Sequence, residues 1–280
     1  MDMGMTSMIY ASIVLYNTKI EDVRKVLGCV AGSIVNKVYV IDNSEQDTLR
    51  EEVLAASKKT EYIWGQGNVG YGAGHNIAIR RSIEESADYH LVLNPDIFFE
   101  SDVIADLVGF MSRYVDVGMV LPRVVYPNGD LQYLCRLLPA PLDIFSRRFL
   151  PKSVIKKRNE RYEMRAMGYD KVWNCPILSG CFMLMRVNDL ARVGGFDERF
   201  FMYFEDFDLM RRLHRISKTV FYPHRTIIHD HASGHHTSRF LFRASIKSAY
   251  QYFNKWGWLL DRERVKENRG AFDAENQISD

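Results

Sequence analysis

Ile9-Tyr10-Ala11-Ser12-Ile13-Val14-Leu15-Tyr16-Asn17-Thr18 is a nearly continuous apolar run that stops at two polar residues. Broken only by the small Ala11 and Ser12, it predicts a strand buried on both faces. Beyond it, Ile20, Val23, Val26, Leu27 and Val30 recur at helical intervals, and Val38-Tyr39-Val40-Ile41 forms a second apolar run ending at Asp42-Asn43-Ser44. Strand, helix, strand in that order predicts a parallel sheet covered by helices. In such sheets ligands lie beyond the carboxyl ends of the strands, where Asn17, Thr18, Asp42, Asn43 and Ser44 fall.

The pattern continues with a helical stretch over 48–57, a short strand at 62–64, and the run Gly65-Gln66-Gly67-Asn68-Val69-Gly70-Tyr71-Gly72-Ala73-Gly74-His75-Asn76. So many glycines mean backbone that turns sharply or approaches something closely. Ahead of a helix expected over 77–86, the run reads as a loop able to hold phosphate at a helix N-terminus, or as a purely structural turn. It lacks Gly-Lys-Ser/Thr and a well-placed Gly-x-Gly-x-x-Gly, which argues against P-loop and dinucleotide sites. A strand at 89–93 then runs into Asn94-Pro95-Asp96. Asp96 there can ligate a hard divalent cation, or serve as a turn residue. A helix at 102–111, a strand at 117–121 and a turn at 126–130 follow.

The second half is dominated by Gly194-Gly195-Phe196-Asp197-Glu198-Arg199-Phe200-Phe201-Met202-Tyr203-Phe204-Glu205-Asp206-Phe207-Asp208-Leu209. Phe207, Met210 and Leu213 keep helical spacing, so a helix is expected from near Glu205. Carboxylates in a first helical turn are explained by the helix dipole alone. The large apolar neighbours favour a different use, a carboxylate in a walled cleft whose pKa rises toward working pH.

The 280-residue chain can bury a large core, and its net charge of +2 does not argue for nucleic acid. Charge is uneven, with nine Lys or Arg against three acids over 147–171, and this basic stretch reads as a mobile loop suited to an anionic partner, a phosphate-bearing substrate or a membrane surface, or as a solvated loop. Cys29, Cys135, Cys175 and Cys181 form no C-x-x-C pair, so a reducing compartment is the default. No secretory signal or spanning run is visible, and the expectation is a cytoplasmic protein, soluble or peripheral on the inner face of the cytoplasmic membrane.

Residues 177–186 read as one strand, and short strands at 219–222 and 227–228 lead into His229-Asp230-His231-Ala232-Ser233-Gly234-His235-His236. A helix over 239–260 mixes aromatic with basic residues, which suits core packing and also contact with anionic lipid.

These segments, taken in order, resemble the family 2 glycosyltransferases of GT-A fold, in particular their bacterial rhamnosyltransferase-like branch, over roughly residues 8–269. The resemblance rests on Tyr10 to Asn17, Val40 to Ser44, Asn68 to Asn76, Leu93-Asn94-Pro95-Asp96, Gly180 to Leu184 with Gly194 to Phe201, Phe204 to Leu209, and His229-Asp230-His231. It implies an α/β fold with a mostly parallel mixed sheet, helices on both faces and a C-terminal acceptor-side subregion. Residues 1–130 would hold the donor, 131–238 the acceptor and catalytic groups, and 239–280 a helical region. The donor would be a dTDP or UDP sugar, with L-rhamnose the best guess, and the acceptor a glycan or polyprenyl-diphosphate-linked glycan in bacterial surface polysaccharide synthesis. Transfer would invert the anomeric carbon with Mg2+ or Mn2+ present. By position, Asp206 resembles the general base; Asn17, Asp42, Asn43, Asn68, Gly70, Asn76, Asn94 and Asp96 fall on the donor side, and Gly180, Phe204 and Glu205 on the acceptor side. Asp96 and His229 would meet the metal. The chain departs from the family's D-x-D element in having Asn94 in place of the first acid. A nucleotidyltransferase would leave Asp206 unexplained, and an inactive sugar- or nucleotide-binding module would have little use for both Asp96 and Asp206.

Overall fold

The computed structural model describes residues 7–144, 151–230 and 239–278. β1 (Ile9–Leu15) is buried along its whole length. It is followed by α1 (Ile20–Ala31), β2 (Lys37–Asp42), α2 (Arg50–Ala56), β3 (Thr60–Trp64), α3 (Tyr71–Glu84) and β4 (Tyr89–Leu93). The four strands pair in parallel in the order β3-β2-β1-β4. Alternation along β1 splits its side chains between two cores. Ile9, Ala11, Ile13 and Leu15 meet the apolar stripe of α1, while Tyr10 and Val14 pack with Ala78 of α3 on the opposite face.

The chain continues through β5 (Ile97–Phe98), α4 (Val103–Arg113), β6 (Val117–Val125), β7 (Cys135–Arg136), α5 (Lys152–Tyr162), β8 (Trp173–Asn174), β9 (Ile177–Leu178) and β10 (Phe182–Arg186). Then come α6 (Val187–Val193), α7 (Glu205–His214), β11 (Lys218–His229), α8 (Arg239–Trp256) and α9 (Arg262–Gly270). The sheet extends from β4 as β10-β6-β11-β5, with β10 antiparallel between β4 and β6 and β11 parallel to β6. Strands from both sides of residue 130 thus share one mixed, mostly parallel sheet. β7 and β9 form a separate antiparallel ribbon.

Several local expectations change. The glycine-rich run is not a loop ahead of a helix at 77; its second half is the first turn of α3, which starts at Tyr71. The physical reason is close packing, because a Cβ at Gly74 would come within 2.8 Å of Val14 and one at Gly72 within 2.9 Å of Phe196. Residues 177–186 are two strands broken at Ser179-Gly180-Cys181, and 218–229 is one strand with an irregular register between Tyr222 and Thr226. Of the basic stretch, 147–150 lie outside the described residues, and 152–162 is helix α5, anchored by buried Ile155 and Tyr162. The C-terminal helix stops at Trp256, where Gly257 takes a left-handed φ of 104°.

Beneath the sheet lies a buried polar chain. Ser82 Oγ donates to the Ala78 carbonyl at 3.1 Å, which leaves it to accept from His90 Nδ1 at 2.7 Å. His90 Nε2 then accepts from Ser12 Oγ at 2.8 Å, and Ser12 Oγ accepts from His75 Nδ1 at 2.7 Å. One helical carbonyl thereby sets the tautomer of both rings. Burial pushes His90 down to about 3, and burial together with the neighbouring ring holds His75 well below its ordinary value. The unfolded chain takes up these protons near pH 6.5, whereas the folded chain does not until far lower. Stability is therefore complete above that pH and falls as pH drops, by about 1.4 kcal/mol per pH unit for each histidine. Urea unfolding at about pH 7 and about pH 5 should show this loss; equal stability would mean the rings are charged in the folded chain.

Candidate active site

The five acids of the 194–209 stretch divide by partner. Asp208, fully buried, accepts from Trp256 Nε1 at 2.8 Å and pairs with Lys255 at 2.7 Å and Arg212 at 2.8 Å. Asp197 pairs with the same Lys255 at 2.7 Å. Glu198 accepts from Asn76 and Arg80. These three hold elements together, which leaves Glu205 and Asp206.

That pair opens α7 after two consecutive residues in the left-handed region, Tyr203 (φ 68°) and Phe204 (φ 67°). Neither is glycine, so the turn is strained by about 1–3 kcal/mol per residue and must be held from outside. Phe204 supplies part of that hold. Its buried ring packs against Phe207, Tyr252 and Phe253 at centroid distances of 5.2, 5.3 and 6.2 Å. Ser248 of α8 adds a hydrogen bond of 2.8 Å to the Met202 carbonyl.

Asp206 keeps partial access to solvent, with Oδ2 accepting from the Gly180 amide at 3.2 Å and Oδ1 from the Phe207 amide at 2.9 Å. Burial raises its pKa, and Arg136 and these amides restrain the rise. Glu205 is buried, its Oε2 makes no hydrogen bond among the described residues, and burial plus the charge of Asp206 hold it well above the ordinary range. Both are raised, Glu205 further because it is the more deeply buried and faces the charge of Asp206, so Asp206 is the easier of the two to ionise. A Cβ at Gly180 would sit 3.1 Å from that of Asp206, so the break between β9 and β10 admits the acid only because residue 180 has no side chain. The Gly180 carbonyl lies 2.8 Å from the Tyr71 hydroxyl, which is also 3.0 Å from Asn94 Oδ1. Burial first, with neighbouring acids after it, holds the Tyr71 hydroxyl well above its ordinary pKa.

Arg136, on β7, places its guanidinium 5.7 Å from the centre of the Phe207 ring, and its buried Nε makes no hydrogen bond among the described residues. Because its charge favours ionised Asp206, Arg136→Gln should move the acid limb of the pH-rate profile to higher pH, while Arg136→Lys should largely restore it. An unmoved limb would separate Arg136 from the acid.

On the other side of Tyr71, Asp96 follows β4 and His229 ends β11, with His229 Nε2 3.4 Å from Asp96 Oδ1. Gln132 donates from Nε2 to the His229 carbonyl at 2.8 Å, so its Oε1 is the acceptor, 3.0 Å from His229 Nδ1. With the Nδ1 proton fixed there, Nε2 faces a carboxylate. That arrangement suits either an imidazolium or a cation between the two groups. Without a metal, burial opposes the imidazolium charge, but Asp96 and Cys181 outweigh it and push His229 up to about 10. One carboxylate oxygen and one oriented imidazole fit a divalent ion whose other ligands come from substrate and water. No cluster of three or more metal-ligating side chains occurs among the described residues. His231, His235 and His236 lie outside them.

The donor-side residues are mostly engaged with one another. Asp42 is buried, accepting from Tyr62 hydroxyl at 2.7 Å and from the Ser44 amide at 2.9 Å. Asn43 donates to the Gly70 carbonyl at 3.1 Å, and Asn68 accepts from the Gly70 amide at 3.2 Å. Gly70 has φ 91°, and a Cβ there would run into the Phe201 carbonyl. That carbonyl also accepts from the Tyr71 amide at 3.0 Å, so the first amide of α3 is already taken. Asn76 gives its amide to Phe196 and Glu198 and clamps the 194–198 turn. Asn17, with φ 49°, borders a cavity of about 350 Å³ shared with Tyr16, Thr18, Ser44, Gln46 and Leu49, beyond the ends of β1 and β2.

Asn94, Asp96, Gly180, Glu205, Asp206 and His229 therefore gather around Tyr71, while Asn17 and Asp42 mark a second locus at the β1–β2 ends. Tyr71, Gln132 and Arg136 are additions that sequence reading did not assign. Tyr71 stood inside a quoted motif, but Gln132 and Arg136 carry no local signal, because contacts distant in sequence place them.

A mixed sheet thus brings an acid pair, the Asp96–His229 corner and a cavity to the carboxyl ends of its strands. Residues 13–194 match the Glycosyl transferase family 2 profile, and the chain belongs to that family. It is a glycosyltransferase. The chain is 30% identical over 244 residues to rhamnosyltransferase WbbL of Escherichia coli, covering 83% of this chain and 85% of that protein. It is 27% identical over 241 residues to N-acetylglucosaminyl-diphospho-decaprenol L-rhamnosyltransferase of Mycobacterium tuberculosis, with 76% of each covered. Among solved structures, Staphylococcus aureus TarS 1-349 in complex with UDP-GlcNAc superposes with a TM-score of 0.60 at 14% identity over 95% of this chain and 71% of that one. A mannosyltransferase from Pyrobaculum calidifontis in complex with GDP-Man and Mn2+ gives 0.59 at 15% identity, over 88% and 63%. Another TarS chain is spanned to 42% of its length.

Proposed function

We propose that the protein transfers L-rhamnose from dTDP-rhamnose, with inversion, to a polyprenyl-diphosphate-linked glycan. The observation that carries the chemistry is Asp206, which is partly accessible, held by two backbone amides and the first of its pair to ionise. Its carboxylate takes the proton of an acceptor hydroxyl as that oxygen bonds to the anomeric carbon and the bond to the nucleoside diphosphate breaks. Attack opposite the leaving group inverts the centre. Neutral Glu205 and the Tyr71 hydroxyl line this side without adding charge. Asp96 and His229 would hold Mg2+ or Mn2+, which when bound offsets charge on the departing diphosphate. Asn17 and Asp42 lie toward the nucleoside in this reading, with Asn43, Asn68, Gly70 and Asn76 shaping the backbone there. Rhamnose is supported by the names of both relatives, and the lipid-linked acceptor by that of the Mycobacterium tuberculosis enzyme.

The test is turnover with dTDP-rhamnose, UDP-GlcNAc and GDP-mannose in parallel, with a short polyprenyl-diphospho-N-acetylglucosamine acceptor and either metal. Release of dTDP with an inverted product is the expected result. Transfer from another donor would replace the sugar, a retained configuration would remove direct displacement, and donor binding without turnover would leave a binding module.

A further inference from the structure

We infer that α8 and the turn after it form a docking surface for an anionic phospholipid bilayer. The 18-residue helix carries four cations and no acid. Ser248, Ala249, Tyr252 and Phe253 face the core, and Lys255 is tied to Asp197 and Asp208. Arg239, Arg243 and Lys247 are exposed and make no ion pair among the described residues.

The same outer side carries Ile246 and Tyr250, one helical turn apart and exposed, Tyr250 at 58%. Tyr250 leans against Trp258 with ring centroids 5.8 Å apart, which carries the apolar surface on to Leu259 and Leu260. These adjacent leucines are 84% and 96% exposed. Single exposed leucines are ordinary, but two together at the tip of a turn, continuous with an aromatic stripe and flanked by cations, are not. Arginine and lysine beside aromatic and aliphatic side chains match the charge and depth of a lipid headgroup boundary. No helix among the described residues is long and apolar enough to cross a membrane, so contact through this surface would be in-plane.

The surface is coupled to the acid pair. Ser248 holds the Met202 carbonyl, and Tyr252 and Phe253 hold the Phe204 ring directly before Glu205 and Asp206. A bilayer that fixes α8 also fixes the orientation of the turn that presents those acids. This inference stands on the helix surface and does not depend on which sugar or acceptor is used.

The experiment is co-sedimentation of the full chain with vesicles of phosphatidylglycerol and phosphatidylcholine, and of phosphatidylcholine alone. Parent protein should bind the anionic vesicles in a salt-sensitive way. Leu259→Ser with Leu260→Ser should weaken binding about tenfold or more, without a folding penalty because both side chains are solvent-exposed. Arg243→Gln and Lys247→Gln should each weaken it about fivefold. Activity on a water-soluble acceptor should be unchanged in all of these variants. Failure to bind anionic vesicles, or binding indifferent to both sets of substitutions, overturns the inference. So does sedimentation equilibrium showing a dimer that the leucine substitutions dissolve, because the face would then belong to a second copy.

Discussion

Asp206→Asn should bind donor as the parent does and transfer sugar roughly 100-fold more slowly or worse, the scale of losing a general base. The substitution keeps shape and keeps an acceptor oxygen for the Gly180 or Phe207 amide, so the turn before α7 should persist. Glu205→Gln is the informative control. Burial and the charge of Asp206 both push Glu205 toward its neutral form, so an uncharged amide there should cost far less. If the two variants fell equally, the pair would act as one unit; an undiminished rate in Asp206→Asn would move the base elsewhere.

Asp96→Ala should lose the metal-dependent part of donor affinity, by roughly tenfold or more, while binding without metal stays near the parent's. Calorimetric titration with the nucleotide sugar, with and without magnesium, reads both quantities on one protein. Asp96 is the carboxylate that faces His229 Nε2, and Asn94, two residues earlier, is engaged with Tyr71. In the proposed reading substrate phosphate would supply much of the coordination, so removing Asp96 would weaken the site sharply. Equal donor binding by mutant and parent in magnesium would exclude Asp96 as a ligand.

The parallel half of the sheet was legible because each strand is an apolar run with a helix-period stripe behind it, and burial on two faces leaves few other readings. The start of α7 at Glu205 was equally visible. What failed was local inference where a distant contact decides. Glycines at 72 and 74 read as loop, yet they are helical because Val14 and Phe196 press on them. Helix α5 lacked a readable stripe because few of its positions are buried. At the site, the acid pair and Asp96 stood in motifs, whereas Arg136 reaches Asp206 through a two-stranded ribbon and Gln132 reaches His229 across 97 positions of sequence. Phe204, which the resemblance put on the acceptor side, packs its ring onto α8. An aromatic residue next to acids looks the same in sequence whichever way the backbone turns it.

The clamp on Asp208 has a consequence for engineering. Its charge lies wholly inside the protein and is balanced from α8 by Lys255 and Trp256 and from its own helix by Arg212. A chimera that exchanged the segment after α7 between related transferases would separate this carboxylate from Lys255 and Trp256 and leave the buried charge to Arg212. Recombination junctions placed between 214 and 239 should therefore yield insoluble protein. Moving 194–270 as one block carries the acid pair, the clamp and α8 together and is the natural unit for grafting a new acceptor preference.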